Sequence, residues 1–283
     1  MSKNVRFRHS ALLVFVSLIW GVAFVAQSAG SDYVTPYTFC CVRYLMGAAV
    51  LAPIIPLLDR LGVTGGAPAD AAARKRLWLG GAVCGVFLAS ASLCQQMGIY
   101  LGVPSGKAGF LTACYIVLVP VLGLFFRRRC GARVWIAVAI TVCGLYLLCM
   151  NGSLTLQGRD AVVLVCSLLY ALQILSIDHF VATVDAVRLA CIQFLTAGVA
   201  LAVPMLLLET GGGLGAWCGM FAHTESWIAL LYTGVLSTAV AYTGQCVGQQ
   251  GVPPAIASLL MSFESVFSVL AGWLILGERL SAR

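Results

Sequence analysis

Apolar residues run in long blocks along this chain. Short stretches rich in Gly, Pro or charge break them, such as GVTGGAPADAAARKR and ETGGGLGAW. A helix that crosses a bilayer needs about 20 predominantly apolar residues. That length predicts spans over 10–29, 36–58, 77–100, 104–126, 132–150, 158–178, 186–208, 226–248 and 253–276. The first block follows Lys3, Arg6 and Arg8 and ends in AQSAG, as a signal peptide would. It is longer than the apolar core of a signal peptide and matches a later span, so it reads as a retained helix.

The blocks repeat. At an offset of 150, Ala11, Ser17, Leu18, Cys41 and Leu45 meet Ala161, Ser167, Leu168, Cys191 and Leu195. At 149, Gln96, Gly102, Val103 and Pro104 meet Gln245, Gly251, Val252 and Pro253. Residues 1–150 form a first repeat of five spans and residues 151–283 a second with four. An odd number of spans per repeat turns the second copy upside down, the arrangement common in secondary transporters, whose site lies at the midplane between the halves. The segment RRRCGAR leads into the fifth span; its counterpart LGERLSAR ends at Arg283. The expected fold is an all-α membrane protein: an inverted repeat of five-helix bundles, nine transmembrane helices present and an expected tenth missing after Arg283.

Composition narrows the class. Of 283 residues, 61% are hydrophobic and 10% charged, against about 25% charged in a soluble domain. The formal charge of +7 sits in short loops. With the N-terminus inside, the inner segments hold Lys3, Arg6, Arg8, Arg60, Arg74, Lys75, Arg76, Arg127, Arg128, Arg129, Arg133 and Arg188; the outer ones hold Lys107, Arg159, Arg279 and Arg283. That bias places the N-terminus in the cytoplasm. No basic run alternates with aromatics, so no nucleic-acid partner is expected. The 12 cysteines show no Cys-x-x-Cys or Cys/His spacing and read as small apolar residues. His9, His179 and His223 fall at span ends or in loops, so neither a metal nor a cofactor is expected. GVPSGKAG departs from a phosphate loop in its glycine spacing and in Ala108, which replaces the Ser or Thr that holds magnesium. The sequon at Asn151 lies close to the bilayer and is expected unmodified.

Chemistry concentrates in a few positions. LLMSFESVFSVLAGWLILGE carries Glu264 in its middle, ~16 Å along the span at 1.5 Å per residue. A charge at that depth costs roughly 2.5–3.5 kcal/mol and by default faces a cavity or a partner. Glu264 is a candidate to bind and release a proton or a cationic substrate group; a protonated carboxyl that only ties helices together is the structural alternative. Arg43, about seven residues into the second span, reads as an anion site for a substrate carboxylate, as a partner for Glu264, or as a side chain reaching the interface. Lys107 opens its span and is expected at the interface. Trp20, Phe24 and Gln27 fall at i, i+4, i+7; Tyr170 and Gln173 mark the matching helix; Ser92 and Gln96 share a face, as do Thr238, Tyr242 and Gln245. These stripes suit a wet cavity wall, or hydrogen bonds between helices. The GxxxG pairs Gly81/Gly85, Gly102/Gly106 and Gly244/Gly248 predict close helix approach.

SLIWGVAF with Trp20 and Gly21, CVRYLMGAAVL with Arg43, and FESVFSVLAGWLILGE with Glu264, Gly272, Trp273 and Gly277 resemble the drug/metabolite transporter superfamily, specifically its EamA-type members, over nearly the whole chain. The family often has proline after the first glutamate of the last motif. Here it is Ser265, which removes an expected kink. The resemblance implies export or exchange of small metabolites across a bacterial cytoplasmic membrane. The expectation is a secondary active transporter, working as an exporter of metabolites such as amino acids or amphipathic drugs, by alternating access. Proton coupling through Glu264 and uncoupled exchange both stay open, as does the oligomeric state. A channel would want a ring of charges. An intramembrane enzyme would want a nucleophile with its base, paired aspartates or a histidine cluster at depth, and the spans carry none of these.

Overall fold

The computed structural model describes residues 3–125, 130–149 and 157–277. Arg127, Arg128, Arg129, Met150, Asn151, Glu278, Arg279 and Arg283 lie outside the described residues. Among those described, every regular element is a helix. The first half holds α1 (Lys3–Gly30), α2 (Pro36–Arg60), α3 (Ala71–Tyr100), α4 (Ser105–Ala113), α5 (Tyr115–Phe125) and α6 (Ala132–Cys149). The second holds α7 (Gly158–Phe180), α8 (Ala186–Leu208), the short α9 (Leu214–Gly219), α10 (Thr224–Leu231), a π-helical stretch (Tyr232–Tyr242), α11 (Thr243–Gln249), α12 (Pro254–Met261) and α13 (Phe263–Leu276). Among the described residues eight helical rods are long and apolar enough to cross a membrane, and α6 adds a shorter apolar stretch, Ala132–Leu147. Their outer faces carry Phe15, Ile140, Val199, Leu207 and Leu274, all more than half exposed. Water would not tolerate so large an apolar surface.

Helix ends follow from local chemistry, because backbone groups near hydrocarbon must be satisfied within the protein. Pro36 opens α2, where its missing N–H costs nothing. Asp70 accepts from Ala73 N at 2.7 Å and Asp185 from Arg188 N at 2.8 Å, each capping its helix. Gln157 and Asp160 form a capping box on α7. Gly102, at φ +87°, closes α3 in a conformation that only glycine adopts freely.

Two expected spans are each broken. The span expected over 104–126 turns at Cys114 and that over 253–276 at Ser262, positions that match within one residue at the 149 offset. At both, i→i−4 bonds give way to i→i−3: Cys114 N donates to Leu111 O and Ser265 N to Ser262 O. The Cys114 thiol and the Ser262 hydroxyl bond back to Phe110 O and Leu259 O, an interaction that bends helices. The kink that Ser265 was expected to remove is therefore present three residues earlier, with no proline.

The halves pack reciprocally. Gly98 of α3 faces Val163 of α7, and Gly248 of α11 faces Leu13 of α1; both pairs map onto each other at 150. Gly81/Gly85 and Gly244/Gly248 do sit against neighbouring helices. Gly102/Gly106 does not act as a packing pair, since Gly102 ends a helix and Gly106 meets only Val269, at 3.3 Å. A close approach that involves backbone concerns Gly21, where a Cβ would stand 2.3 Å from Phe267 Cβ and 2.9 Å from the Glu264 carbonyl oxygen. This contact seats α13 on α1. Gly21→Leu is expected to cost about 1–3 kcal/mol by overpacking, read as a lower melting temperature in detergent. Gly144→Leu, where a Cβ meets nothing within 4 Å, should leave that temperature nearly unchanged.

Candidate functional site

A cavity lies where the two halves meet. Trp20, Ala23, Phe24 and Gln27 reach it from α1, Arg43 from α2 and Gln95 from α3. Thr112 and Tyr115 come from α4 and α5; Tyr170, Gln173 and Ile174 from α7; Ser237 and Tyr242 from the π-helical stretch; Gln245 from α11; Met261 and Glu264 from α12 and α13. The space open to the centre of a water molecule is about 30 Å³. That is room for a few waters, and too little for a metabolite unless the helices move.

Nine of the twelve residues singled out from sequence for the wall and its charges line this cavity: Trp20, Phe24, Gln27, Arg43, Tyr170, Gln173, Tyr242, Gln245 and Glu264. Gln96 does not. Its amide donates to Ser31 Oγ at 2.8 Å and Gln27 O at 3.4 Å, tying α3 to α1. Its equivalent Gln245 exchanges bonds of 3.4 and 3.2 Å with Gln173 and faces the cavity. Gln95, one residue away, takes the place expected for Gln96 and donates to Thr112 at 3.1 Å.

Glu264 is 5% exposed and accepts a hydrogen bond from Tyr115 Oη at 2.9 Å. It sits in the first turn of α13, just after the break, where the dipole of the helix favours a carboxylate. Tyr115 opens α5, just after the other break. The two residues are 149 apart, so positions equivalent in the two repeats meet each other. Mapping Glu264 back by the repeat offset would have found Tyr115 in the sequence.

Arg43 is 1% exposed, so it does not reach the interface. Nor does it pair with Glu264. Its Nη1 donates to Gln27 Oε1 at 3.2 Å and its Nη2 to Tyr44 Oη at 2.6 Å. Beyond Tyr44 a run of hydroxyls crosses the bundle. Tyr44 bonds Ser92, Ser92 bonds Tyr170 at 2.9 Å, and Tyr170 bonds Tyr242 at 3.2 Å. Ser92 is thus part of the wall's support without lining it. Trp20 packs at a tilt on Tyr242, with ring centroids 4.7 Å apart, and donates to Ser237 O.

The stripe on α1 keeps its expected spacing. The one on the π-helical stretch does not. Ser237 and Tyr242, five residues apart, both face the cavity, while Thr238 turns to Thr233 O, five back, and packs on Gly47. The wider turn of a π-helix, common at functional sites, shifts the face that a 3.6-residue period assigns.

Two clusters close the ends of the α2–α8 pair. At one end Arg188 Nη2 donates to Asp59 Oδ2 at 2.6 Å, and Gly65 N donates to Asp185 at 2.9 Å. At the other, Glu209 accepts from Tyr37 N at 3.0 Å and from Thr38 N and Thr38 Oγ1 at 2.7 Å each, with Trp217 Nε1 donating to Thr38 Oγ1. At 150, Asp59 maps to Glu209 and Thr38 to Arg188, so one acid–partner latch occurs twice. Lys107, expected at the interface, pairs with buried Asp160 at 2.6 Å.

The model of the EamA-like transporter family matches the sequence twice, over residues 9–150 and 159–283. A relative from Archaeoglobus fulgidus, described as an uncharacterized transporter, is 24% identical over 270 residues, covering 95% of this chain and 78% of the relative. A crystal structure of a protein superposes with a TM-score of 0.70 at 15% identity, over 96% of this chain and 90% of that one. That likeness speaks to the fold alone.

Proposed function

We propose, from the premise that this chain belongs to the EamA-like transporter family, that it is a secondary carrier exporting small metabolites, amino acids or amphipathic compounds among them, by alternating access, with Glu264 taking up and releasing a proton in each cycle. The setting is a bacterial cytoplasmic membrane with the N-terminus inside. The observation that carries the reading is Glu264 itself: a carboxyl group held by Tyr115 at the junction of the two repeats, on the wall of a polar cavity. So costly a group at membrane depth is kept where protons or ions pass.

Inversion of the second repeat supplies the motion. With the halves oppositely oriented, the Asp59–Arg188 latch closes the cytoplasmic end of the α2–α8 pair and the Glu209–Thr38 latch the outer end. Releasing one while the other holds opens the cavity to one side at a time. A channel needs both ends open together, and both latches are formed here.

Proteoliposomes holding a pH-sensitive dye test the proposal. A mixed metabolite extract added across an imposed pH gradient should move protons only where the protein is present, and only with extract. Proton movement that ignores the extract, or its absence with every fraction, would remove the coupled-carrier reading.

A further inference from the structure

Arg43 is a cation that the packing does not require. The second repeat provides the comparison. Position 193, equivalent to 43 at the 150 offset, is glutamine. Gln193 makes the same kind of tie between neighbouring helices, accepting from Gln173 at 3.4 Å, as Arg43 does with Gln27. A neutral amide therefore suffices for the joint. The first repeat carries a full charge at 1% exposure, where an uncompensated ion is strongly unfavourable.

Its guanidinium lies over the Tyr44 ring, 4.7 Å from the centroid, and among the described residues no carboxylate pairs with it. Arg43 forms no ion pair with Glu264, the only carboxylate among the described lining residues. Its Nε is buried and has no hydrogen-bond partner among the described residues. Two of its three nitrogens are engaged, by Gln27 and Tyr44, and these fix the plane of the guanidinium while Nε stays free. A planar donor held in this way recognises an oxyanion. Arg43 is also the only cation among the described lining residues. One positive charge balances a carboxylate and leaves a doubly charged phosphate uncompensated.

We infer that Arg43 is the substrate-anchoring residue of the cavity and that the transported molecule presents a carboxylate to it. This rests on the carrier reading above and narrows it to substrate class. The other wall, with Trp20, Phe24 and Tyr242, receives the apolar part of the same molecule.

The test measures binding to purified protein with matched acid and amide pairs: leucine and leucinamide, phenylalanine and phenylalaninamide, 3-phenylpropionate and 3-phenylpropanamide. The wild type should bind at least one acid roughly 10–100-fold tighter than its amide, the range for a charge-assisted hydrogen bond. Arg43→Gln, which copies the second repeat, should bring that ratio near one. Arg43→Lys, keeping the charge, should retain a preference for the acid. Size-exclusion profiles establish that the variants are folded; if Arg43→Gln is not, a wild-type ratio near one, or a folded Arg43→Lys that loses the preference, still overturns the inference. A wild type that prefers no acid over its amide, or a folded Arg43→Gln that keeps the preference, overturns the inference. Acid binding through Arg43 without movement across proteoliposomes would leave this inference standing and remove the carrier reading instead.

Discussion

Glu264→Gln should reduce proton-driven transport to the level of protein-free vesicles while the protein stays folded. Glutamine has the size and shape of glutamate, and its Oε1 can still accept from Tyr115 Oη, the bond that holds the native side chain. What the variant loses is the ability to bind and release a proton in a site that is 5% exposed. Exchange of substrate for substrate, which needs no net proton movement, should persist. The wild-type rate should change with pH, and the rate of the variant should not. Tyr115→Phe removes the donor and keeps the acid, so its effect should be smaller and confined to the pH profile. Full proton-driven transport by a folded Glu264→Gln protein would restrict Glu264 to a structural role.

Weakening either latch should shift the balance between the two ends in opposite senses. Removing a hydrogen bond to a charged group costs roughly 1.5–3 kcal/mol, which moves a two-state equilibrium about 10–100-fold. Cys41 reports on the outer end. It lies three residues from Thr38, is 1% exposed and bonds Gly198 O at 3.4 Å. In a protein whose only cysteine is Cys41, Glu209→Gln should raise its labelling by a membrane-impermeant maleimide about 10-fold or more. Asp59→Asn, at the far end, should lower the rate below wild type by favouring the state open to the other side. Equal acceleration by both substitutions would mean general loosening rather than two coupled ends.

The sequence revealed the spans and the repeat because those rest on composition and on rigid local chemistry. Apolar length is the bilayer's requirement, and Gly-Val-Pro at 102–104 and 251–253 marks the same helix-to-helix corner twice. Glu264 stood out because an acid within an apolar run has so few structural explanations. The breaks at Cys114 and Ser262 left no trace in the apolar pattern, since short polar side chains bend a helix without interrupting its hydrophobicity. The π-helical stretch was equally hidden, and it moved Thr238 off the wall and Ser237 onto it. Arg43 was ambiguous by depth alone; its partners, Gln27 and Tyr44, come from the fold. The latches join residues 129 and 171 positions apart, beyond any local spacing. The repeat offset nonetheless links Asp59 to Glu209, Tyr115 to Glu264 and Arg43 to Gln193, so an internal repeat carries more information about a site than any single motif in it.

The central claim is that the two ends of the α2–α8 pair open in turn around one cavity. Spin labels at Leu61 and Ala182, and in a second protein at Asp32 and Gly211, occupy exposed, repeat-equivalent positions at opposite ends. Distances between them by pulsed electron paramagnetic resonance in nanodiscs should be anticorrelated: conditions that lengthen the first pair shorten the second, and substrate with protons reverses the change. Both distances lengthening together, or neither responding to substrate or protons, would contradict alternating access in this protein.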